Sequence, residues 1–456
     1  MDAAGLRARA GALLAIDVRS LAAFRIGIAA MLLADLAKRA LTLELHYTDG
    51  GVLPRAVARE LLAEPAWFAR LHFAVGSVAG EALLFALAAA VAVALLVGYR
   101  SRLACALSWV LLLSVQMRNP LVNHTGDAYL LVLVFWGMFV PLGACASLDA
   151  RRARADAPPP SEVRSVGAAA LLLQIAVLYR AAGALKHDEA IWREGRALWL
   201  FLHEDAYARP VASALLPFEG LLRLGTWAAL FLEGVAPLLF FSPWQTARVR
   251  VVLIALFTGF HLSIQLLVYI GIFELVSIAA LAVFVPGCAW ERLGWKLAPG
   301  ARVLRPRGAF ERAWQGVAAA CGVYVLLSNA ASLGAPVPEL PRLVREAGRQ
   351  LRLDQRWAIF TQLDGLDAGW FAVVAVGGDG ARYDRVGGRS IASDADLLVR
   401  PAGFAESYAN HNERRWWRHM RQPRFAAFRP AFAEAVCRRR VPGWDAASGP
   451  VRGRGG

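Results

Sequence analysis

The sequence predicts an all-α polytopic membrane helix bundle of about eight or nine spans, followed by a small C-terminal α+β domain outside the membrane. Three observations predict it. The 456 residues are 57% hydrophobic with a mean hydropathy of +0.44, and several apolar runs approach or exceed the roughly 18 to 20 residues that cross a bilayer. Those runs fill residues 1–330 and then cease. Over 331–456 short β-prone segments and basic, aromatic stretches replace them, which is the composition of a separate extramembrane domain.

Taken in order, spans are expected near 21–41, 78–98, 103–118, 128–148, 165–185, 226–242, 251–269, 271–287 and 313–330, nine crossings in all. The least certain division is at 251–287. Only "YIGIF" interrupts the apolar run there, so two short helices, a re-entrant pair and one long kinked element all fit. With a cytoplasmic N-terminus, the inside segments carry Arg7, Arg9 and Arg19, then Arg100 and Arg102, then Arg151, Arg152, Arg154 and Arg164, then Arg248 and Arg250, then the basic stretch from Arg292 to Arg312. That distribution obeys the positive-inside rule. Loops 42–77, 119–127 and 186–225 and the C-terminal domain then face outward, in a cell inner (plasma) membrane. The opening "MDAAGLRARAGALLAIDVRSLAAFRIG" is broken by Asp17, Arg19 and Arg25 and offers no small-residue cleavage site, so an uncleaved anchor is expected.

A formal charge of +15 raises the question of nucleic acid, but the arginines sit in short loops between apolar runs and form no continuous basic face. Orientation in the membrane accounts for them. Five scattered cysteines form no CxxC pair, which argues against a zinc site or disulfide framework. "RRARADAPPPSEVR" at 151–164 reads as an extended, mobile cytoplasmic linker. In the tail, "WFAVVAVGGDGARYDRVG" reads as two short strands around a Gly-Asp-Gly turn, and the segment around Trp416 and Trp417 as basic, aromatic helix that could sit on a membrane interface or bind an anionic substrate, packed tryptophans with snorkelled arginines being the favoured reading.

Ionisable groups within spans are costly and ask for a reason. Lys186 ends a long apolar run in "GALKHDEAIWREG". It either snorkels to the interface or, partly buried, becomes a base, a change that Asp188 and Glu189 would oppose if they paired with it. In "RNPLVNHTGDAYLL", Asn123, His124, Thr125 and Asp127 make a dense donor and acceptor cluster; Thr125 and Asp127 suit a capped helix start, whereas His124 is not needed for capping. His261 shares a helical face with Gln265, and Glu233 interrupts "LFLEGVAPLLFF", with Arg180 as one candidate partner. Convergence of these groups would make an enclosed polar site suited to acid/base work on a lipid-soluble substrate. No GxGxxG with a following acid, Walker A, HExxH, GxSxG or CxxCH sequence offers a competing chemistry, although polar residues in helices also line transport paths.

In this order, "RIGIAAMLLADL", "HYTDGGVLPR", "LLVGYRSRLACAL", "NHTGDAYLLVLVFWGMFVPLG", "AGALKHDEAIWREG", "FLEGVAPLLFF" and "FHLSIQLLVYIGIFELVSIAALAVFVP" resemble the vitamin K-dependent gamma-carboxylase family and its bacterial relatives, which share the horizontally transferred transmembrane domain. The resemblance covers about residues 20–290. The family's catalytic base lies in an "AGVKKLDADWVEG"-like stretch, whose second lysine falls on Lys186 and whose following aspartate falls on Asp188. Leu185 replaces the first lysine, and one residue is inserted before Trp192. The family's functional histidine falls on His124, where only Asn123 remains of a pair of asparagines, and His261 and Glu233 match later positions. The tail "LRLDQRWAIFTQLDGLDAGWFAVV" is similar to the bacterial "QRWxMF" segment rather than to the long lumenal portion of the animal enzymes.

The resemblance implies an epoxidase coupled to carboxylation. Lys186 would deprotonate a reduced vitamin K or menaquinol-type naphthoquinone; with O2 an epoxide and a strong base would result, a glutamate γ proton would be removed, and CO2 would add. His124 would orient or stabilise an oxyanion, with Asn123, Asp188, His261 and Glu233 supporting the quinone site. No metal is required, and no nucleic acid is expected as a partner; a lipid quinone and a peptide or protein glutamate acceptor are. Alanine- and arginine-rich usage suggests a bacterium with a GC-rich genome, where menaquinone is a fitting donor. Two alternatives stay open: quinol-dependent oxygenation without carboxylation, recognisable as epoxide without fixed CO2, and a non-catalytic transporter or scaffold, recognisable by indifference to Lys186.

Overall fold

The computed structural model describes residues 11–62, 67–153, 160–204, 207–297, 302–361, 372–377, 380–384, 389–399 and 411–438. Arg7, Arg9 and Arg154 of the expected inside segments, and Gly378 and Asp379 of the expected turn, lie outside these. Helices stand wherever an apolar run predicts a span: α1 (Val18–Ala40), α2 (Val78–Val97), α3 (Ser101–Arg118), α4 (Thr125–Gly137), α5 (Val166–His187), α6 (Glu219–Gly234), α7 (Thr246–Leu267), α8 (Phe273–Leu281) and α9 (Gly308–Ser332). Among the described residues α1, α2, α5 and α7 are long and apolar enough to cross a membrane, while α4 and the stretch Phe273–Phe284 are shorter apolar helices.

Several expected spans are shorter than their apolar runs for identifiable reasons. Helix α4 stops at Gly137, four residues before Pro141. The following turns are held by Arg25 of α1, which donates to the carbonyls of Leu142, Cys145 and Ala146 at 2.9, 3.1 and 2.6 Å. An arginine that interrupts the first apolar run thus satisfies backbone acceptors that hydrocarbon could not. The run at 226–242 divides after Gly234, because Pro237 lacks an N–H and opens a separate short helix, Ala236–Leu239. The "YIGIF" question resolves as two helices. Gly271 takes φ +90°, and Val268 bridges to Ala208 across the break.

Two compact units interleave along the chain: Met1–Ala34, Ala89–Trp109 and Thr125–Gly365 form one, and Asp35–Ala88, Val110–His124 and Leu366–Gly456 the other. In the first, α5 packs on α6 and α9. Its connector at 151–164 is not simply extended. Pro160–Val163 (β2) pairs antiparallel with Ile16–Asp17 (β1) and parallel with Arg302–Leu304 (β3). Arg19 closes this region through Asp17 at 2.7 Å and the carbonyls of Gly287 and Trp295.

In the second unit, the tail strands Val374–Val376 (β4) and Arg382–Asp384 (β5) pair as an antiparallel hairpin, and a third strand, Arg389–Ile391 (β6), extends it beyond the two expected. Helices α10 (His411–Arg421) and α11 (Arg429–Arg438) follow. Trp416 and Trp417 are 1% and 8% exposed and pack on Phe432, as expected of packed rather than interfacial tryptophans.

Histidines pin this tail and make it acid-sensitive. His419 Nδ1 donates to the Leu121 carbonyl at 2.6 Å. Burial first, then the charge of Arg415, pushes His419 from its ordinary 6.5 down to about 4, and burial beside His124 holds His411 well below its usual range. Protonation therefore favours the unfolded tail. The stability this contributes is fully present above pH 6.5 and is lost as pH falls from there toward about 4. Hydrogen-exchange protection of residues 411–438, corrected for the intrinsic pH dependence of amide exchange, should fall across that window as pH decreases, and His419→Gln should flatten the fall. Protection that is level with pH in the unaltered protein would refute the assignment.

Candidate active site

Helix α5 is set in place at both ends. Ser165 caps its start, accepting from the Ala168 N–H at 3.1 Å, and its last turn carries Lys186. Along its final turns the small residues Ala181, Ala182, Gly183 and Ala184 allow another backbone to come close. A Cβ on Gly183 would lie 2.4 Å from the Gly234 nitrogen and 2.6 Å from the Glu233 carbonyl carbon, so the end of α6 rests directly on α5. One turn further on, the consequence is chemical. Lys186 Nζ hydrogen-bonds the Glu233 carboxylate, and the two residues are only 3% and 6% exposed.

Aromatic side chains wall this ion pair. Lys186 Nζ sits 4.9 Å from the centroid of the Trp192 ring. Trp192 Nε1 donates to the Phe360 carbonyl at 2.9 Å, and Phe201 packs between the two rings at 6.0 and 4.9 Å. Phe360 itself adopts a left-handed φ of +53°. A buried pair of this kind is poor evidence for stability, since hydrophobic replacements often serve as well, so its retention asks for a role.

Two turns before Lys186, Tyr179 carries the polar character deeper. Its hydroxyl lies 2.6 Å from His261 Nε2 on α7, and also interacts with Ser277 on α8 and with Glu233. His261 therefore bonds across helices, not to Gln265. Its Nδ1 is buried without a hydrogen-bond partner among the described residues, as is the Tyr129 hydroxyl on α4.

The other predicted residues fall in the second unit or at the surface. Asn123 donates to the Gln116 carbonyl at 2.8 Å and accepts from Arg39 at 3.3 Å. His124 Nε2 is 3.0 Å from Lys38 Nζ, and its ring lies 5.1 Å from that of His411. Lys38 and Arg39 both pair with Asp35, at 3.3 and 2.7 Å. Burial, reinforced by Lys38, holds His124 well below the ordinary imidazole value, so it is a neutral hydrogen-bonding group near pH 7. Asp188 is the exposed C-cap of α5, and its carbonyl accepts from Arg193 at 2.7 Å. Glu233 takes Lys186 as its partner; Arg180 is exposed.

Sequence reasoning missed Tyr179, Trp192, Tyr129 and Lys38. Tyr179 was within reach, because a residue seven positions before Lys186 shares its helical face. The profile of the HTTM domain matches residues 14–290, well over half of the chain. The chain belongs to the HTTM-domain family. This domain is found in vitamin K-dependent gamma-carboxylase family proteins, and here it contains Lys186, Glu233, His261, Asn123 and His124. No curated protein and no solved structure matches this HTTM-domain chain.

Proposed function

We propose that this HTTM-domain protein is a quinol-dependent carboxylase and epoxidase of the inner membrane, with a cytoplasmic N-terminus and its tail on the outer face. A reduced naphthoquinone of vitamin K or menaquinol type would supply, with O2, the strong base that removes a glutamate γ proton so that CO2 adds. The observation that carries the reading is the buried Lys186–Glu233 pair within a domain that the gamma-carboxylases share. The residues present also suit a flat aromatic diol. Trp192, Phe201 and Phe360 offer ring faces, and His261 Nδ1 and the Tyr129 hydroxyl have unmet hydrogen-bonding capacity.

With the shared proton held on Glu233, Lys186 is a neutral amine whose Nζ takes the proton of a ligand hydroxyl, leaving an ammonium beside the ligand oxyanion and a neutral Glu233, so that no isolated charge appears in the low-dielectric interior. Trp192 covers the amine and limits access of water, which would quench a strong base. Tyr179 holds the His261 ring and so directs Nδ1. In the second unit, neutral His124 with Asn123 supplies hydrogen bonds suited to an oxyanion; in the first, exposed Asp188 is suited to a polar acceptor.

The test uses purified protein in nanodiscs with reduced vitamin K, O2, labelled bicarbonate and a glutamate-containing peptide. Epoxide with label in the peptide is the expected result. Epoxide without label would restrict the activity to quinol oxygenation on another acceptor, and no epoxide from folded protein with several quinols would overturn the catalytic reading.

A further inference from the structure

Glu274 is a buried acid that the mechanism above leaves unused. It lies in the first turn of α8, fully buried, and beyond its own backbone N–H neither carboxylate oxygen has a hydrogen-bond partner among the described residues. Arg209 acts on it electrostatically, but that guanidinium donates to the Val268 carbonyl at 3.4 Å and stacks 5.3 Å from the Tyr269 ring centroid. A carboxylate so poorly supplied with donors in an apolar interior is among the costliest groups a fold can keep. It therefore points to a donor beyond those that the described residues provide.

The surroundings say which donor. Ser277 lies one turn beyond Glu274 on the same face of α8 and interacts with the Tyr179 hydroxyl. The Tyr129 ring packs 6.0 Å from that of Phe273, the residue before Glu274, and Tyr129 also interacts electrostatically with Tyr179. His261 packs against the same Phe273 at 5.8 Å. Within one compact unit the first two turns of α8 thus carry Glu274 and, on the same face, Ser277 beside the Tyr179 hydroxyl, while Tyr129 and His261, each with unmet hydrogen-bonding capacity among the described residues, pack on the adjoining Phe273.

We propose that Glu274 selects the redox state of the aromatic ligand, accepting a hydrogen bond from a hydroxyl of the reduced diol and rejecting the oxidised dione. This rests on the quinol reading of the site. An ionised carboxylate only accepts. A diol hydroxyl satisfies it, whereas a quinone carbonyl, also an acceptor, leaves it unpaired and repelled. Sites built to bond a hydroxyl discriminate strongly against analogues that lack it. A glutamine at this position could donate its amide N–H to a carbonyl and would lose the preference.

The experiment measures binding of 2-methyl-1,4-naphthohydroquinone under argon against 2-methyl-1,4-naphthoquinone, in nanodiscs at about pH 8.5 so that the carboxyl is ionised. The unaltered protein should bind the reduced form at least tenfold more tightly, and Glu274→Gln should bring the ratio to one or below. Because the readout is a ratio within one variant, partial misfolding does not mimic it. Equal binding of the two forms by the unaltered protein, or an unchanged ratio in Glu274→Gln, overturns the selector role and leaves the quinol reading standing. Binding of neither compound overturns both.

Discussion

Lys186→Ala is expected to remove detectable conversion of reduced vitamin K to its epoxide while the protein still inserts into the membrane. A positioned general base is commonly worth about 10²–10⁴ in rate, and no other amine contacts Glu233 among the described residues. Alanine also leaves Glu233 buried without its partner, a loss on the order of 3–5 kcal/mol when one member of such a pair is deleted. Stability and chemistry must therefore be separated. The double substitution Lys186→Met with Glu233→Leu removes both charges and should return the thermal midpoint close to that of the unaltered protein, while activity stays absent. Methylamine added to Lys186→Ala should restore part of the turnover by occupying the vacated space. Near-normal epoxide formation by Lys186→Ala would rule out the base assignment whatever its effect on stability.

Gly183→Ala should be nearly as damaging, although it adds a single carbon and touches no reacting group. The new Cβ would stand 2.4 Å from the Gly234 nitrogen, a separation that backbone atoms cannot accept, so α5 and α6 must move apart. Overpacking of this kind costs roughly 1–3 kcal/mol. The larger effect is on the pair one turn away, since a displacement near 1 Å in a catalytic arrangement can lower the rate on the order of a hundredfold. Gly259→Ala is the control. It lies within α7, where a Cβ meets nothing within 4 Å, and should be neutral or more stable by up to about 1 kcal/mol. Equal activity for the two variants would show that the close approach at Gly183 does not position Lys186.

Much of the fold was legible because membrane helices announce themselves locally. A run of apolar residues long enough for a bilayer fixes helix position with little reference to the rest of the chain, and helices stand at every predicted place from 21–41 to 313–330. Where a helix stops was less legible. Arg25 looked like a flaw in the first apolar run until its three carbonyl partners from the loop after α4 were visible. The strand at Pro160–Val163 was read as linker because its partners, Ile16–Asp17 and Arg302–Leu304, are more than a hundred residues away on either side.

For the site, the sequence by itself singled out candidates through cost: Lys186, Glu233 and His261 stand out because an apolar run has no ordinary reason to hold them. It also placed the chain in its family, through motifs whose order survives without any geometry. Glu274 escaped notice, since "YIGIFELV" had raised only the question of a helix break. Tertiary structure alone decided the partnerships. Lys186 with Glu233, Tyr179 with His261, and the unmet acceptors of Glu274 depend on helices from separate parts of the chain meeting, and the pairing of Lys186 with Glu233 depends on a glycine that lets two backbones touch. Hydrophobic burial is a property that each segment carries alone, whereas a hydrogen bond needs two groups at one place, and only the folded packing brings them there.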